Sequence, residues 1–499
     1  MEITDEICER ARHARDPRFD GCFFIGVVTT SVFCRPTCPV QPPRGDRVRF
    51  FPTAAAAVAA GFRPCLRCLP ELAPGTRTAA SASDRVERAL ALIADGFLDG
   101  RRHDDLAAAV GVSARQLARL FRRHVGATPG QVAHTRRLLF AKQLLDDSDL
   151  SLTEVAFAAG FGSLRRFNTV IRETWQRPPS MLRRRGASTA VAGAPIRLHL
   201  AYRPPFDWPA LIDFHRRRAL PGVECVHDGR YRRTVTTAGG SGWIEVGPAA
   251  HALELSVSVP DVSGLAVLVA RVRRMFDLDA EPSAIAAVLG ADPLLAPVVE
   301  ECPGLRVPCA WDTFEVAVRA ILGQQVSVEA ARTLAARIVE AYGEPIDTPP
   351  DAGPDRLFPA PERLAEAPLE RLGVIGARAR AIRHLAAGLA SGALELDAPG
   401  LAGRLVALPG IGDWTAQYVA MRSGRDPDAF PAADLGLRRG AEEGEPVTAA
   451  QLRRRAEAWR PWRAYAAVCL WRRHAALGRE HIDAKEVEHA VHVSGQPHR

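Results

Sequence analysis

Four cysteines near the N-terminus have the types and spacing for metal chemistry. Cys34 and Cys38 stand in Phe33-Cys34-Arg35-Pro36-Thr37-Cys38, and Cys65 and Cys68 in Phe62-Arg63-Pro64-Cys65-Leu66-Arg67-Cys68. Two close pairs held apart by a folded stretch bring four thiolates onto one tetrahedral zinc. Arg35, Arg63 and Arg67 lie inside or beside the pairs. That mix points to a metal-activated sulfur that meets a phosphate backbone. From spacing alone, a purely structural zinc knuckle fits as well.

A second constellation lies far downstream. Leu408-Pro409-Gly410-Ile411-Gly412-Asp413-Trp414-Thr415-Ala416 is a helix-hairpin-helix turn between two helical stretches. Its glycines let the backbone N–H groups of Gly410–Gly412, after Pro409, come close to a phosphate, with a helix N-terminus behind them. Further on, Phe430-Pro431-Ala432-Ala433-Asp434 places a carboxylate after a Gly/Pro-rich loop. A carboxylate there could stabilise a developing positive charge or activate water. Asp434 also fits a helix N-cap, and such hairpins occur in DNA-binding proteins that do no chemistry.

The elements that must hold these groups divide the 499 residues into several domains. Hydrophobic content of 47% and 24% charged residues are ordinary for a globular protein. No uninterrupted apolar run approaches membrane-spanning length, and Met1–Arg18 is polar and charged rather than signal-like. A cytoplasmic, reducing setting and no membrane partner are therefore expected, and the ten cysteines do not read as a disulfide framework. The net charge of +8 comes almost wholly from arginine, since Lys142 and Lys485 are the two lysines. A GC-rich coding bias explains the arginine count, so its clustering at 115–123 and 165–185 carries more information than its total.

The first module is read as residues 1–78, with a loop through Pro74-Gly75 to Ser83. The second, 84–185, contains an internal repeat of two helix-turn-helix units. Helices Asp105–Val110 and Ala114–His124 flank the turn Gly111-Val112-Ser113. Helices Leu152–Ala159 and Leu164–Thr174 flank Gly160-Phe161-Gly162-Ser163, and Thr128–Leu145 connects the two units. Glycine supplies each turn and serine caps each second helix. Arg115, Arg119, Arg165 and Arg166 are expected to face outward for promoter DNA. Small residues at 186–194 read as a linker. The third module, 195–493, should carry an antiparallel sheet built from Arg197–Tyr202, Thr234–Thr237, Gly242–Val246 and Ala252–Val257, which alternate apolar and polar residues.

Three resemblances attach to these motifs. With Phe19-Asp20-Gly21 and Val28-Thr29-Thr30, the cysteine blocks resemble the N-terminal domain of the Ada methylation-response proteins over residues 5–75. This implies one zinc on Cys34, Cys38, Cys65 and Cys68. It also implies that Cys34 accepts a methyl group from a DNA methylphosphotriester, once and irreversibly, and that losing one thiolate charge favours promoter binding. Gly126-Ala127-Thr128-Pro129, Ala156–Phe161 and Phe167-Asn168 resemble the DNA-binding domain of AraC-type regulators, with Gln176 standing where that family usually has glycine. Pro204–Trp208, Met275–Leu278, Phe314–Val328 and Ala458–Tyr465, together with the hairpin and Asp434, resemble AlkA, an alkylbase DNA glycosylase of the helix-hairpin-helix superfamily.

The last resemblance implies that Asp434 is the catalytic aspartate and that Trp414, Tyr418 and Trp471 line the pocket for a flipped base. Cation–π stacking of a cationic alkylpurine there is worth roughly 0.5–2 kcal/mol. Gln325 falls where AlkA has an apolar wedge. Bifunctional members of the superfamily carry a lysine at the position of Trp414, so a monofunctional glycosylase without lyase activity is expected. Pro308-Cys309-Ala310 lacks the Pro-Cys-His-Arg pattern of alkylguanine methyltransferases, and that activity is not expected.

The combined fold is multidomain: a small α+β zinc domain, an all-α tandem helix-turn-helix domain, and an α+β AlkA-like glycosylase. Expected partners are double-stranded DNA, both damaged and promoter, and RNA polymerase, with the chain a monomer. Two rivals stay open at this point. In one, a transcription activator uses its glycosylase module only as a DNA clamp. In the other, a repair enzyme has a zinc domain that is purely structural.

Overall fold

The computed structural model describes residues 3–75, 84–183, 195–347, 353–397 and 400–477. The linker read at 186–194, Lys485 and the end of the third module beyond 477 lie outside the described residues.

The first module is a four-stranded sheet in the order β3-β1-β2-β4, with β1 Phe24–Val27, β2 Val32–Cys34, β3 Val48–Phe51 and β4 Arg63–Pro64. β4 lies parallel to β2 and pairs Phe33 with Pro64. This pairing is what brings the two cysteine pairs together. Phe24, Phe33, Phe51 and Phe62 form the core under the sheet.

The second module contains the two expected helix pairs. Helices His103–Ala109 and Ala114–His124 form the first unit, and Leu152–Ala158 and Leu164–Trp175 the second, joined by Pro129–Asp147. The sequence signals operate as physics requires. Ser113 accepts from the Gln116 amide at 3.2 Å and Ser163 from that of Arg166 at 3.2 Å. The turn glycines Gly111 and Gly160 sit at φ +73° and +82°. Gln176 takes the left-handed conformation at φ 55° at the end of its helix, the role glycine has in the AraC-type pattern.

The third module begins with a five-stranded antiparallel sheet, in the order β5-β9-β8-β7-β6. Its strands are β5 Ile196–Ala201, β6 Glu224–His227, β7 Arg230–Thr237, β8 Gly240–Ala249 and β9 Ala252–Ser258. Two sequence expectations need correction. β6 was not foreseen, and β7 and β8 run well beyond Thr234–Thr237 and Gly242–Val246. Arg230, Arg232 and Glu245 interrupt the apolar alternation, yet they neutralise one another across the strands, with Arg230 and Arg232 each 2.7 Å from Glu245. Helices then follow through to residue 477.

The second and third modules share one hydrophobic core. Phe161, Phe167, Ile171 and Trp175 pack in the same cluster as Leu198, Leu200, Ile244 and Leu255 of the sheet. The first helix-turn-helix unit keeps a separate core around Leu106, Leu117 and Phe121. Strand β5 is a sheet edge, and the connecting helix covers it. Gln143 Nε2 donates to His199 O at 2.9 Å, and the His199 amide donates to Asp147 Oδ2 at 3.2 Å. Edge groups that would otherwise invite another strand are thereby satisfied. The first module is tied in by the fully buried Arg203, which donates to Asp20 O at 2.7 Å, Gly75 O at 2.5 Å and Asp279 O at 2.8 Å.

Candidate functional site

The four N-terminal cysteines meet. Cys34 ends β2, and the Cys65 amide donates to Phe33 O at 3.0 Å, so the second pair folds back beside the first. All four sulfurs lie within 4.8 Å of one another. Cys65 and Cys68 are buried, and Cys34 and Cys38 are partly exposed. Backbone amides of Arg35 and Arg67 point at Cys68 Sγ and Cys65 Sγ, each at 3.4 Å. Crowded thiols of this kind resist ionising together: Cys38 and Cys65 drive the Cys34 thiol up. A divalent cation removes that conflict, and an all-sulfur tetrahedral donor set is the one zinc takes. The residues present therefore fit one zinc.

The arginines around this site divide. Arg35 turns inward. Its guanidinium makes a paired contact with Asp20 and donates to Cys68 O at 3.2 Å, which removes it from any phosphate. This corrects the sequence expectation for Arg35. The Asp20 of Phe19-Asp20-Gly21 is its counter-ion. Arg63 and Arg67 are exposed beside the cysteines.

In the third module the structure brings Asp434, Trp414, Tyr418 and Trp471 together. Asp434 is the N-cap of helix Leu435–Gly440, and its Oδ1 accepts from the Leu437 amide at 3.1 Å. The same Oδ1 accepts from Trp471 Nε1 at 3.0 Å, and Oδ2 accepts from Trp414 Nε1 at 3.0 Å. A carboxylate offers about four lone-pair positions. Three are filled by rigid N–H donors, so the group is fixed in direction with one position on Oδ2 left over. Trp414 stacks on Tyr418 with ring centroids 5.4 Å apart, and Tyr418 lies 6.3 Å from Trp471.

Three residues that the sequence reading did not single out complete this wall. Phe214 stacks against Trp471 at 6.2 Å, Arg218 lies over Phe214 at 3.8 Å, and Arg422 donates to the Tyr418 hydroxyl at 2.5 Å. The Tyr418 hydroxyl is buried, which raises its pKa, but Arg422 and Arg218 outweigh this and lower it overall. The signal was present as spacing: Trp414, Tyr418 and Arg422 recur every four residues, as Phe214 and Arg218 do, which puts each set on one helix face.

The hairpin leads directly into the helix that carries Trp414 and Tyr418. Pro409, Gly410 and Gly412 are exposed and Ile411 is buried as its anchor. Gly410 has φ +87°, and a Cβ there would stand 2.8 Å from Ala381 Cβ. Gly412 precedes helix Asp413–Arg422 without a capping side chain, so its first amides are free for a phosphate. Gln324 Nε2 donates to Gly410 O and to Thr415 Oγ1, both at 3.1 Å, which holds the loop containing Gln325 against the hairpin. Gln325 itself is exposed at φ 54°, beside the exposed Val326 and Val328.

In the second module Arg115 and Arg119 are exposed on helix Ala114–His124, and Arg165 and Arg166 on helix Leu164–Trp175. The opposite faces bury Leu117 and Phe121, and Phe167, Ile171 and Trp175.

Known families match the chain in the same order. The pattern describing the metal binding domain of Ada matches residues 7–71, and that of a helix-turn-helix domain matches 106–185. The AlkA N-terminal domain matches 197–312, and the HhH-GPD superfamily of base excision DNA repair proteins matches 318–464. A "Probable bifunctional transcriptional activator/DNA repair enzyme AlkA" of Mycobacterium tuberculosis is 45% identical over 94% of this chain and 97% of its own length. DNA-3-methyladenine glycosylase 2 of Escherichia coli is 37% identical over 54% of this chain and 95% of its own. The bifunctional transcriptional activator/DNA repair enzyme Ada of Escherichia coli is 32% identical over 38% of this chain and 52% of its own.

Proposed function

We propose, given that this chain belongs to the family of bifunctional AlkA transcriptional activators and DNA repair enzymes, that Asp434 and Cys34 are its two reacting groups. The protein is a DNA glycosylase for alkylated bases joined to an Ada-type zinc domain and a helix-turn-helix domain, so that repair is coupled to regulation. It binds double-stranded DNA.

The observation that carries the glycosylase assignment is the set of three N–H donors fixing Asp434 against an aromatic wall. A base turned out of the duplex stacks among Trp414, Tyr418 and Trp471, and an N3- or N7-alkylated purine there is already cationic. As the C–N bond breaks, the bonding electrons leave with the base and positive charge grows on the sugar. The free position on Asp434 Oδ2 faces that charge or orients the attacking water, which supplies oxygen to the sugar carbon. Pro409–Gly412 holds the phosphate backbone, and Gln325 fills the space left by the base. No lysine stands at the hairpin to form a covalent adduct, so the reaction is hydrolysis alone.

At the other centre, zinc held by Cys34, Cys38, Cys65 and Cys68 keeps the sulfurs ionised near neutral pH. Of the two partly exposed cysteines, the likeness to the metal binding domain of Ada makes Cys34 the nucleophile. Its sulfur attacks the methyl carbon of a methylphosphotriester, the S–C bond forms, the C–O bond breaks, and the phosphodiester leaves as an anion. Arg63 and Arg67 hold the backbone for this attack. The exposed Arg115, Arg119, Arg165 and Arg166 read or grip promoter DNA, where the activator meets RNA polymerase as a monomer in the cytoplasm.

Release of free 3-methyladenine from alkylated duplex DNA tests the assignment. Wild type should release it and Asp434→Asn should not, while both bind abasic-site DNA. Equal release by the two proteins would remove Asp434 from the mechanism.

A further inference from the structure

Asp95, the residue after helix Asp84–Ala94 of the second module, is gripped by the third. Its Oδ1 accepts from Arg274 Nη1 at 3.2 Å and its Oδ2 from Arg425 Nη2 at 2.7 Å. Arg425 Nε also stands 3.1 Å from Asp397. The side chains of Asp95, Arg274 and Arg425 are only 22%, 19% and 17% exposed. A carboxylate shared between two guanidinium groups and largely out of water makes charge-assisted bonds that fix direction as well as distance.

What Arg425 is attached to gives the contact its meaning. It lies three residues beyond helix Asp413–Arg422, the element that carries Trp414, Tyr418 and Arg422. The Arg425 amide donates to Ser423 Oγ at 3.3 Å, and Ser423 Oγ donates to Ala420 O at 2.7 Å. Arg422 O accepts from the Ala310 amide at 2.7 Å, and the Cys309 amide donates to Met275 O at 3.1 Å. Gly424 sits at φ +70°, and a Cβ there would meet Arg274 Cγ at 2.8 Å and Cys309 Sγ at 2.9 Å. There is no slack between Arg274 and the end of the pocket helix. Asp95 closes this joint from the DNA-reading module.

We propose that Asp95 is a positioning residue for base excision. Through Arg425 and Arg274 it holds the C-terminal end of the pocket helix so that Tyr418 and Arg422 keep their places beside Phe214 and Trp471. This rests on reading the Asp434 pocket as the site of excision. Interactions that hold an element between two sites act on both, so the regulatory module is then also a working part of the glycosylase.

The test is single-turnover release of 3-methyladenine by the full-length chain, over a range of enzyme concentrations. Asp95→Ala and Asp95→Asn should slow the maximal rate roughly 2- to 30-fold, the span expected for coupling through a packed network. The enzyme concentration at half-saturation should stay within about twofold. Asp95→Glu should recover most of the rate. Arg425→Ala should slow the same step, and the double variant should lose less than the product of the two single losses, because the two share an interaction. Circular dichroism and the melting temperature of the same samples report that the chain is folded, and if Asp95→Ala does not fold, Asp95→Asn carries the test. An unchanged rate in Asp95→Asn, or losses that multiply in the double variant, would overturn the positioning role while leaving excision intact. A wild-type chain that releases no base would overturn the pocket reading, and with it this role.

Discussion

Trp471 Nε1 donates to Asp434 Oδ1 at 3.0 Å across 37 residues of sequence, and Trp414 Nε1 donates to Oδ2 at 3.0 Å from the hairpin side. The indoles are thus wall and clamp together: their rings pack about Tyr418 and their N–H groups aim the carboxylate. Hydrogen bonds to charged groups are worth roughly 1.5–3 kcal/mol. Trp414→Phe and Trp471→Phe keep an aromatic face and lose the donor. Each should slow single-turnover base release by roughly 10- to 150-fold at that energy. Rates within about twofold of wild type would mean that the ring and not the N–H matters.

Gly410 permits the hairpin to close against Ala381. Gly410→Ala places a methyl at a left-handed position and 2.8 Å from another Cβ. It should weaken binding to undamaged duplex DNA by roughly 1–3 kcal/mol, the usual cost of forcing such a contact. Fluorescence anisotropy at two salt concentrations checks this. Wild-type affinity in the variant would show that the hairpin does not carry the phosphate.

Lys142, in the helix joining the two DNA-reading units, meets the first module at Glu71. Its Nζ is 3.4 Å from Glu71 Oε1 and in contact with Asp146. Burial pushes the Glu71 carboxyl from an ordinary 4.5 up to about 7, Asp146 adds to the rise, and Lys142 opposes it. The folded chain therefore keeps a proton that the unfolded chain releases between these values. Stability should fall as pH rises from about 4.5 to 7, by at most roughly 3 kcal/mol, with the full cost present above 7. Glu71→Gln should flatten this slope and raise the melting temperature at pH 8. A steeper slope in the variant would contradict the sign.

Stripping the metal with a chelator should abolish methyl acceptance and unfold the sheet that carries Cys34 and Cys65, because four crowded thiols lose the charge that holds them. Base release should persist, since Asp434 is held by indoles and a helix amide. Circular dichroism and free-base release on one sample would show this. Loss of both activities would argue that the third module cannot stand without the first.

Pure enzyme should leave an intact abasic strand, with cleavage appearing only after heat or alkali. The hairpin segment Leu408–Ala416 contains no lysine that could form a Schiff base. A borohydride-trapped covalent complex with DNA would contradict hydrolysis as the sole chemistry.

Much of this was legible from local chemistry. The caps Ser113 and Ser163, the turns at Gly111 and Gly160 and the hairpin glycines act within a few residues of themselves, so their sequence signals survive folding. The cysteine pairs were legible because few arrangements other than a metal site explain them. Residues whose partners lie far away were not. Arg35 looked like a phosphate contact until Asp20 was seen to occupy its guanidinium. Strand β6 was missed because Glu224 reads as polar, yet it is buried against Tyr231 and Arg319. Phe214 and Arg218 gave a helical period but no hint that they face Trp471. The shared core of Phe167 and Leu255 crosses the presumed linker and leaves no mark on either stretch alone.

One experiment addresses the pairing of two repair chemistries in one chain. Full-length protein is incubated with methylated duplex DNA, free base is quantified, and the peptide containing Cys34 is weighed by mass spectrometry. Wild type should release 3-methyladenine and gain one methyl on Cys34. Asp434→Asn should gain the methyl and release no base, and Cys34→Ala should release the base and gain nothing. A single substitution that abolishes both products, or a methyl found on a cysteine other than Cys34, would contradict two independent centres built as described.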